Sequence, residues 1–337
     1  MPRANYNTAT AFVTGPDLEG RGARYPANAL GVELEIEFDG PLNVELLHIY
    51  QMNRNISNHW VTTKDGSLRG HGYEFISKPF TLDFLMGSVT DLFDCFKSAG
   101  VVIKQSHRTS THIHLNFSKN KLNELYQFLL LYYFLEPTLF CLTEEDRWHN
   151  TFCVSSEMVS SNIARQAENF RPFWKFYEED QAAKYASLNL VPLTKLGTLE
   201  CRIFHGATNA EEVCVWLTAM MELKLFATSF NNIKDLYKYL EVTPFEEVLK
   251  KVFQKTHKHI FEHVMIHEKS LYELANRGNS MAFPLLSLEK KMEAAKNFLA
   301  EEKRKMELEI AKLREKENKI EDYIIWVDDV AGDVNAV

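Results

Sequence analysis

Gly31-Val32-Glu33-Leu34-Glu35-Ile36-Glu37-Phe38 alternates apolar and acidic side chains without interruption. Successive side chains of a strand point to opposite faces, so the pattern predicts a β-strand with three glutamates on one side and an apolar row on the other. The apolar row has to be covered by a second layer, and the carboxylate row needs solvent or countercharge. One strand thus carries a core-forming face and a charged face.

The same period recurs outward from it. Trp60 to Thr63 leads into Lys64-Asp65-Gly66-Ser67, whose Asp-Gly pair signals a turn, and Gly72 to Ser77 reads as the returning strand. Thr111-His112-Ile113-His114-Leu115-Asn116-Phe117 alternates with both histidines on one face. Tyr185 to Pro192 and Thr198 to Phe204 are further strand candidates, the latter placing Glu200 beside Arg202. Helical spacing appears over residues 42–55, 83–98, 120–135, 210–226, 232–240 and 244–264. These elements predict an α+β fold in which an antiparallel sheet keeps one functional side and helices cover the other.

The 337 residues suffice for two domains, or for one large domain with an appendage. Thirty-eight basic against 46 acidic side chains give a net charge of -8, which does not support nucleic acid held by bulk electrostatics. The first fifteen residues lack the apolar core of a signal peptide, and no run of 18 apolar residues occurs, so no membrane partner is expected and the protein is expected to be cytoplasmic, in a bacterium or a host cell. The greasy run from Leu129 to Leu135 carries two tyrosines and meets Glu136 and Pro137, which fits a buried helix that ends there.

The five cysteines form no CxxC pair and are expected to be reduced and buried. Cys201 near His205 is a weak nucleophile candidate on a strand. His257, His259, His263 and His267 fall on a predicted helix and read as surface or packing residues.

After residue 230 the pattern becomes helical. Leu285, Met292, Leu299, Met306, Leu313 and Ile320 recur every seven residues, and charges of both signs balance between Glu289 and Asp322. A long charged helix or coiled coil is predicted over residues 284–325, either docked on its own domain or pairing as a hairpin, a homo-oligomer or a partner contact through residues 285–324. The expected organisation is a flexible leader (1–24), a catalytic domain (25–230), a helical extension (231–283), that helix, and a flexible tail (326–337).

The chemistry concentrates on the strands. Glu33, Glu35 and Glu37, Asp65 and Glu74, His112 and His114, and Glu200 with Arg202 can all share one sheet face. Hard divalent ions such as Mg2+ supply the countercharge such a face needs, and Mn2+ also accepts an imidazole. Zinc-dependent hydrolysis through His112 and His114 is the competing enzymatic reading. A degenerate core acting as a scaffold through its C-terminal helix is the non-enzymatic one. Residues 153–183, with Arg165, Arg171 and Trp174, form a candidate substrate-facing insertion.

Five ordered motifs carry a resemblance: Gly31-Val-Glu-Leu-Glu-Ile-Glu; Lys64-Asp-Gly-Ser-Leu with Gly72-Tyr-Glu-Phe-Ile-Ser-Lys-Pro; Thr111-His-Ile-His-Leu-Asn; Lys184-Tyr-Ala-Ser-Leu-Asn-Leu; and Thr198-Leu-Glu-Cys-Arg-Ile-Phe-His-Gly-Ala-Thr-Asn. Together they resemble the carboxylate-amine ligase superfamily of glutamine synthetase and glutamate-cysteine ligase, and within it the amidoligase branch. The resemblance implies a curved antiparallel catalytic sheet that binds ATP and two or three Mg2+ ions. It also implies activation of a small-molecule or peptide carboxylate as an acyl phosphate, then attack by an amine.

Residue by residue, the resemblance assigns metal binding to Glu33, Glu35, Asp65, Glu74, His114 and Glu200, with Glu35 also counted among the catalytic residues. It places Arg202 against the transferred phosphoryl group. Glutamate is usual at the position of Asp65 in the classical synthetases, whereas Asp-Gly-Ser is similar to the amidoligase branch, so the resemblance leaves the metal geometry open there. Lys184 is a catalytic and nucleotide-contact candidate or a structural lysine. Asn189 and Asn209 are cofactor-binding candidates or hydrogen-bonding residues of a strand and a helix cap.

Overall fold

β1 (Leu30–Phe38) lies inside a seven-stranded, wholly antiparallel, open sheet. The computed structural model describes residues 25–143, 147, 148, 150, 151, 153–155, 183–267, 270–280, 282 and 303–314. The expected leader and tail, Arg165, Arg171, Trp174 and most of the predicted long helix lie outside the described residues.

The elements follow in chain order as α1 (Val44–Asn53), β2 (Trp60–Thr63), β3 (His71–Ser77), α2 (Leu82–Ser98), β4 (Ile103–Lys104), β5 (Ser110–Asn116) and α3 (Leu122–Leu139). After a 3-10 turn at Ala183–Tyr185 come β6 (Leu188–Asn189), α4 (Pro192–Lys195), β7 (Thr198–His205), α5 (Ala210–Thr228), α6 (Ile233–Val242), α7 (Phe245–Val252) and α8 (His257–Ile266). The strand order is β2-β3-β1-β5-β7-β6, with β4 also pairing β1. Sheet and helices make the α+β architecture, with further helices following the sheet.

Register puts the two periods in phase. Glu33 pairs with His112, Gly31 with His114, Glu35 with Glu74, and His114 with Glu200, so all of these project from one face. The opposite row, Val32, Leu34, Ile36, Ile113 and Leu115, is fully buried with Leu85, Val89 and Leu92 of α2 and Trp216, Leu217 and Met220 of α5. Burying a side chain of this kind contributes about 1.5–3 kcal/mol, and this row anchors the sheet on its helices.

Three helices start on asparagine caps: Asn43, Asn209 and Asn232 each accept a hydrogen bond from the backbone N–H three residues on, at 3.0 Å. Gly278, in the helical stretch 271–280, sits so close to α3 that an added Cβ would lie 2.0 Å from the Phe134 carbonyl.

Several boundaries differ from the sequence reading. α3 runs through Pro137 to Leu139 instead of stopping before it, and a 3-10 turn at Phe140–Leu142 follows the helix at once. The strand expected over 185–192 is only two residues long. The helix expected over 244–264 is split at Phe253–Thr256, because the Glu222 carboxylate of α5 accepts from Lys255 N (2.6 Å), Thr256 N (3.3 Å) and Thr256 Oγ1 (2.6 Å) and caps the new start. That partner lies over thirty residues away, beyond the reach of local periodicity.

One helix among the described residues, Asn123–Leu142, is long and apolar enough to cross a membrane, and its window is wholly buried inside the protein, as in a core helix. The chain divides into two units, Met1–Leu286 and Ser287–Val337. In the second, residues 303–314 are helical and expose Met306, Leu308, Ile310 and Leu313.

Candidate metal centre

Two three-residue groups on the acidic face can each hold a cation: Glu33, His114 and Glu200, and Glu35, Asp65 and Glu74. Within each group the potential ligand atoms lie within 4.8 Å of one another. Adjacent same-face positions of β1 thus feed different groups, Glu33 toward β5 and β7, and Glu35 toward β3 and the β2–β3 turn.

The first group is threaded with nitrogen donors. His112 Nδ1 lies 3.3 Å from both Glu33 Oε2 and Glu200 Oε1, and His114 Nε2 lies 3.1 Å from Glu33 Oε1. Arg202 Nη1 pairs with Glu200 Oε1, and Asn189 Nδ2 donates to Glu200 Oε2 at 2.7 Å, so both oxygens of this buried carboxylate are oriented. Burial pushes the Glu33 pKa up, but the adjacent His112 and His114 imidazoles outweigh it and hold the carboxyl well below the usual range. Burial alone would lower the His114 pKa; the Glu33 carboxylate and the more distant Glu200 raise it above its ordinary value. His114 Nε2 is buried without an aligned hydrogen bond, while Nδ1 is held 3.1 Å from Thr198 Oγ1. A ring fixed through one nitrogen with the other turned toward carboxylates is the arrangement of an imidazole ligand.

The second group has oxygen donors only. Glu35 is buried and bonded to Ser110 Oγ, and Asp65 Oδ1 accepts from Ser67 N at 2.5 Å within its own turn. Burial, followed by repulsion from Glu33, Glu35, Asp65 and Glu200, pushes the Glu74 pKa up to about 7. An all-oxygen set in which Glu74 resists ionisation at neutral pH suits a hard divalent ion, which would restore the charge balance. Both groups therefore fit a divalent cation by donor chemistry.

Glu37, third in the alternation, goes elsewhere. It is buried and accepts from Arg69 N at 2.8 Å, which, with Arg108 Nη1 donating to Ser67 O at 3.0 Å, holds the turn that carries Asp65. Arg202 is placed by its backbone: its N–H donates to Ser187 O at 2.8 Å, and its carbonyl accepts from buried Arg147 Nη2 at 2.5 Å. A register shift between Thr111 and Ile113 on β5 pairs Thr111 with Phe204 and Ser110 with His205, so β7 is bulged beside Arg202.

Of the remaining sequence candidates, Asn189 is at the site. Lys184 is exposed, with its amino group 4.8 Å from the Tyr185 ring, and Asn209 uses its side-chain oxygen to cap α5; neither is brought into the two clusters. Cys201 points to the opposite face, fully buried, its thiol 3.6 Å from the Tyr132 hydroxyl and pushed up to about 12 by burial, so it is no nucleophile. His205 instead meets Thr143 Oγ1 at 3.1 Å. Among the helix histidines, the His259 and His263 rings lie against each other at a tilt on α8, with centroids 4.3 Å apart.

Ser110 was missed in the sequence. Its hydroxyl bonds to Glu35 and lies 2.7 Å from His112 Nε2, linking the two clusters. Its same-face position before His112 and His114 was the available signal.

A family model described as "Putative amidoligase enzyme" matches residues 33–224, more than half of the chain. The chain belongs to that family. The matched region begins at Glu33 and contains every candidate ligand of both clusters together with Arg202. No curated protein matches the chain.

Proposed function

We propose that the protein is an ATP-dependent carboxylate-amine ligase of the glutamine synthetase and glutamate-cysteine ligase type, forming an amide or isopeptide bond through an acyl phosphate. The observation that carries this reading is the pair of clusters built from neighbouring glutamates of one strand, with Arg202 at the edge of the first. A carboxylate is a poor acyl donor because its leaving group would be oxide, and phosphorylation supplies a better one.

Glu33, His114 and Glu200, and Glu35, Asp65 and Glu74, would hold two Mg2+ or Mn2+ ions, with a third in the range the superfamily uses. Bound there, divalent ions neutralise phosphate oxygens as charge shifts during transfer. The chain's own residues set the stage. Arg202 supplies fixed positive charge for the phosphoryl group, Asn189 keeps Glu200 in its two-sided grip, and Ser110 holds Glu35 and His112 together. Lys184 and Asn209 are the outlying nucleotide contacts of this reading.

The hydrolase alternative has weaker support. Both ring nitrogens of His112 are engaged, by Ser110 on one side and Glu33 and Glu200 on the other, and each cluster contains at most one imidazole.

The test is ADP and phosphate release from ATP and Mg2+ with pools of carboxylates, amino acids and amines. Release that requires both a carboxylate and an amine, and that disappears in Glu200→Gln, is expected. Tightly held zinc with hydrolysis in the absence of nucleotide would overturn the reading.

A further inference from the structure

Beside the first cluster a cavity of about 420 Å³ opens at the end of the sheet where β1 begins and β5 ends. Its walls are mostly apolar, from Ala29, Leu30, Ile76, Pro79 and Leu196, and Glu33 and His114 form its charged end. Among the described residues that line it, none is Lys or Arg. We propose that this cavity binds the apolar body of the amine acceptor, with Gly31 as the residue that leaves room for it; the acceptor role rests on the ligase reading, the binding of an apolar amine does not.

Three observations select the occupant. An anion entering here meets the Glu33 carboxylate, and His114, the basic side chain among the described lining residues, is already turned to that carboxylate at 3.1 Å, so the anion's charge would be buried without a partner of its own, which is costly. An ammonium meets a carboxylate. A purine would need its edge hydrogen-bonded, yet apart from Tyr25 at the exposed mouth the neutral polar side chains are engaged within the protein. Ser77 Oγ accepts from Val32 N at 2.8 Å. Asn116 donates to Pro26 O at 2.8 Å and accepts from Ser118 N at 3.0 Å. Thr198 Oγ1 holds His114. A site whose polar groups are taken reads shape, and an aliphatic or aryl group is what fits.

Gly31 supplies the room. It lies on the site face opposite His114 as the second residue of β1, where glycine is a poor strand former. A Cβ there would stand 3.6 Å from His114 Cβ and 3.9 Å from Ser77 Oγ, which is ordinary contact, so the protein's own packing does not demand glycine. The wall is also preorganised. Lys224, buried in α5, donates to Ala27 O at 2.7 Å and to Asn116 O, tying the Tyr25–Ala29 strand entry to the end of β5.

The experiment is calorimetric titration of the full-length chain with benzylamine, benzoate and adenosine, each with and without Mg2+, and separately with Mg2+ and a non-hydrolysable ATP analogue. Benzylamine is expected to bind at least tenfold tighter than benzoate or adenosine. Gly31→Val is expected to weaken it tenfold or more, and Gly31→Ala, which the contact distances accommodate, threefold or more, while both keep analogue affinity within twofold. Tighter binding of benzoate or adenosine, no binding of benzylamine, or benzylamine binding unchanged in Gly31→Ala overturns the inference. If benzylamine behaves as expected and the analogue does not bind, the ligase reading fails and the amine cavity stands. If the analogue binds and benzylamine does not, the reverse holds.

Discussion

Glu33, His114 and Glu200 stand among two imidazoles and a guanidinium, whereas Glu35, Asp65 and Glu74 stand among hydroxyls and other carboxylates. The consequence shows in two acids on one sheet face moved in opposite directions: Glu33 is held well below the usual range and Glu74 is pushed up to about 7. The first cluster brings its own countercharge and the second waits for an external one. Both would bind a cation, but only the second should need one to be fully ionised at neutral pH.

The largest test of that difference is Glu200→Gln. It removes a ligand whose two oxygens are already claimed by Arg202, His112 and Asn189, and ATP turnover measured by phosphate release should fall about 10²–10³-fold. Glu74→Gln should act through metal affinity instead, weakening it by roughly 10–100-fold in a Mg2+ titration and recovering much of the turnover at high Mg2+. Equal, metal-insensitive losses in both variants would break the comparison.

A pH series sharpens it. Glu74 has a raised pKa in the folded protein, about 7 against an ordinary value of 4.5, so the folded state keeps a proton that the unfolded state releases between those values. Its effect therefore lowers the stability of metal-free protein as pH rises through that window, and the loss levels off above about pH 7. Thermal melts in chelator should show a pH dependence that Mg2+ or Glu74→Gln reduces. The smallest effect is expected from Ser110→Ala. It leaves Glu35 and His112 each short of a partner and should lower stability by about 1–3 kcal/mol in a denaturant titration.

The strand period made the shared face legible, because alternation in Gly31–Phe38, Thr111–Phe117 and Thr198–Cys201 fixes parity without any structure. It did not say which acid joins which cluster. That depends on register, on Glu35 facing Glu74 and His114 facing Glu200, and register is a property of two strands. Lys184 and Asn209 show the same limit from the other side. Their motifs are intact, yet one is an exposed lysine over a ring and the other a helix cap. The break after α7 was invisible because Glu222, on another helix, makes it.

The bulge in β7 gives the sheet a change of parity. On one side of it Thr198 and Glu200 share the face of Asn116 and His114; on the other, Ser110 is opposed by His205, an odd-numbered residue. Counting by twos from Glu200 would therefore assign Phe204, not His205, to the acidic face. Deleting one of Arg202 and Ile203 would remove the bulge and leave both flanking registers in place, Glu200 opposite His114 and Phe204 opposite Thr111, with a single residue facing His112. The length of β7 thus matters to the candidate metal site unevenly: an insertion or deletion within Thr198–Cys201, which moves Glu200 relative to His114, should be tolerated far less well than loss of the extra residue at Arg202–Ile203.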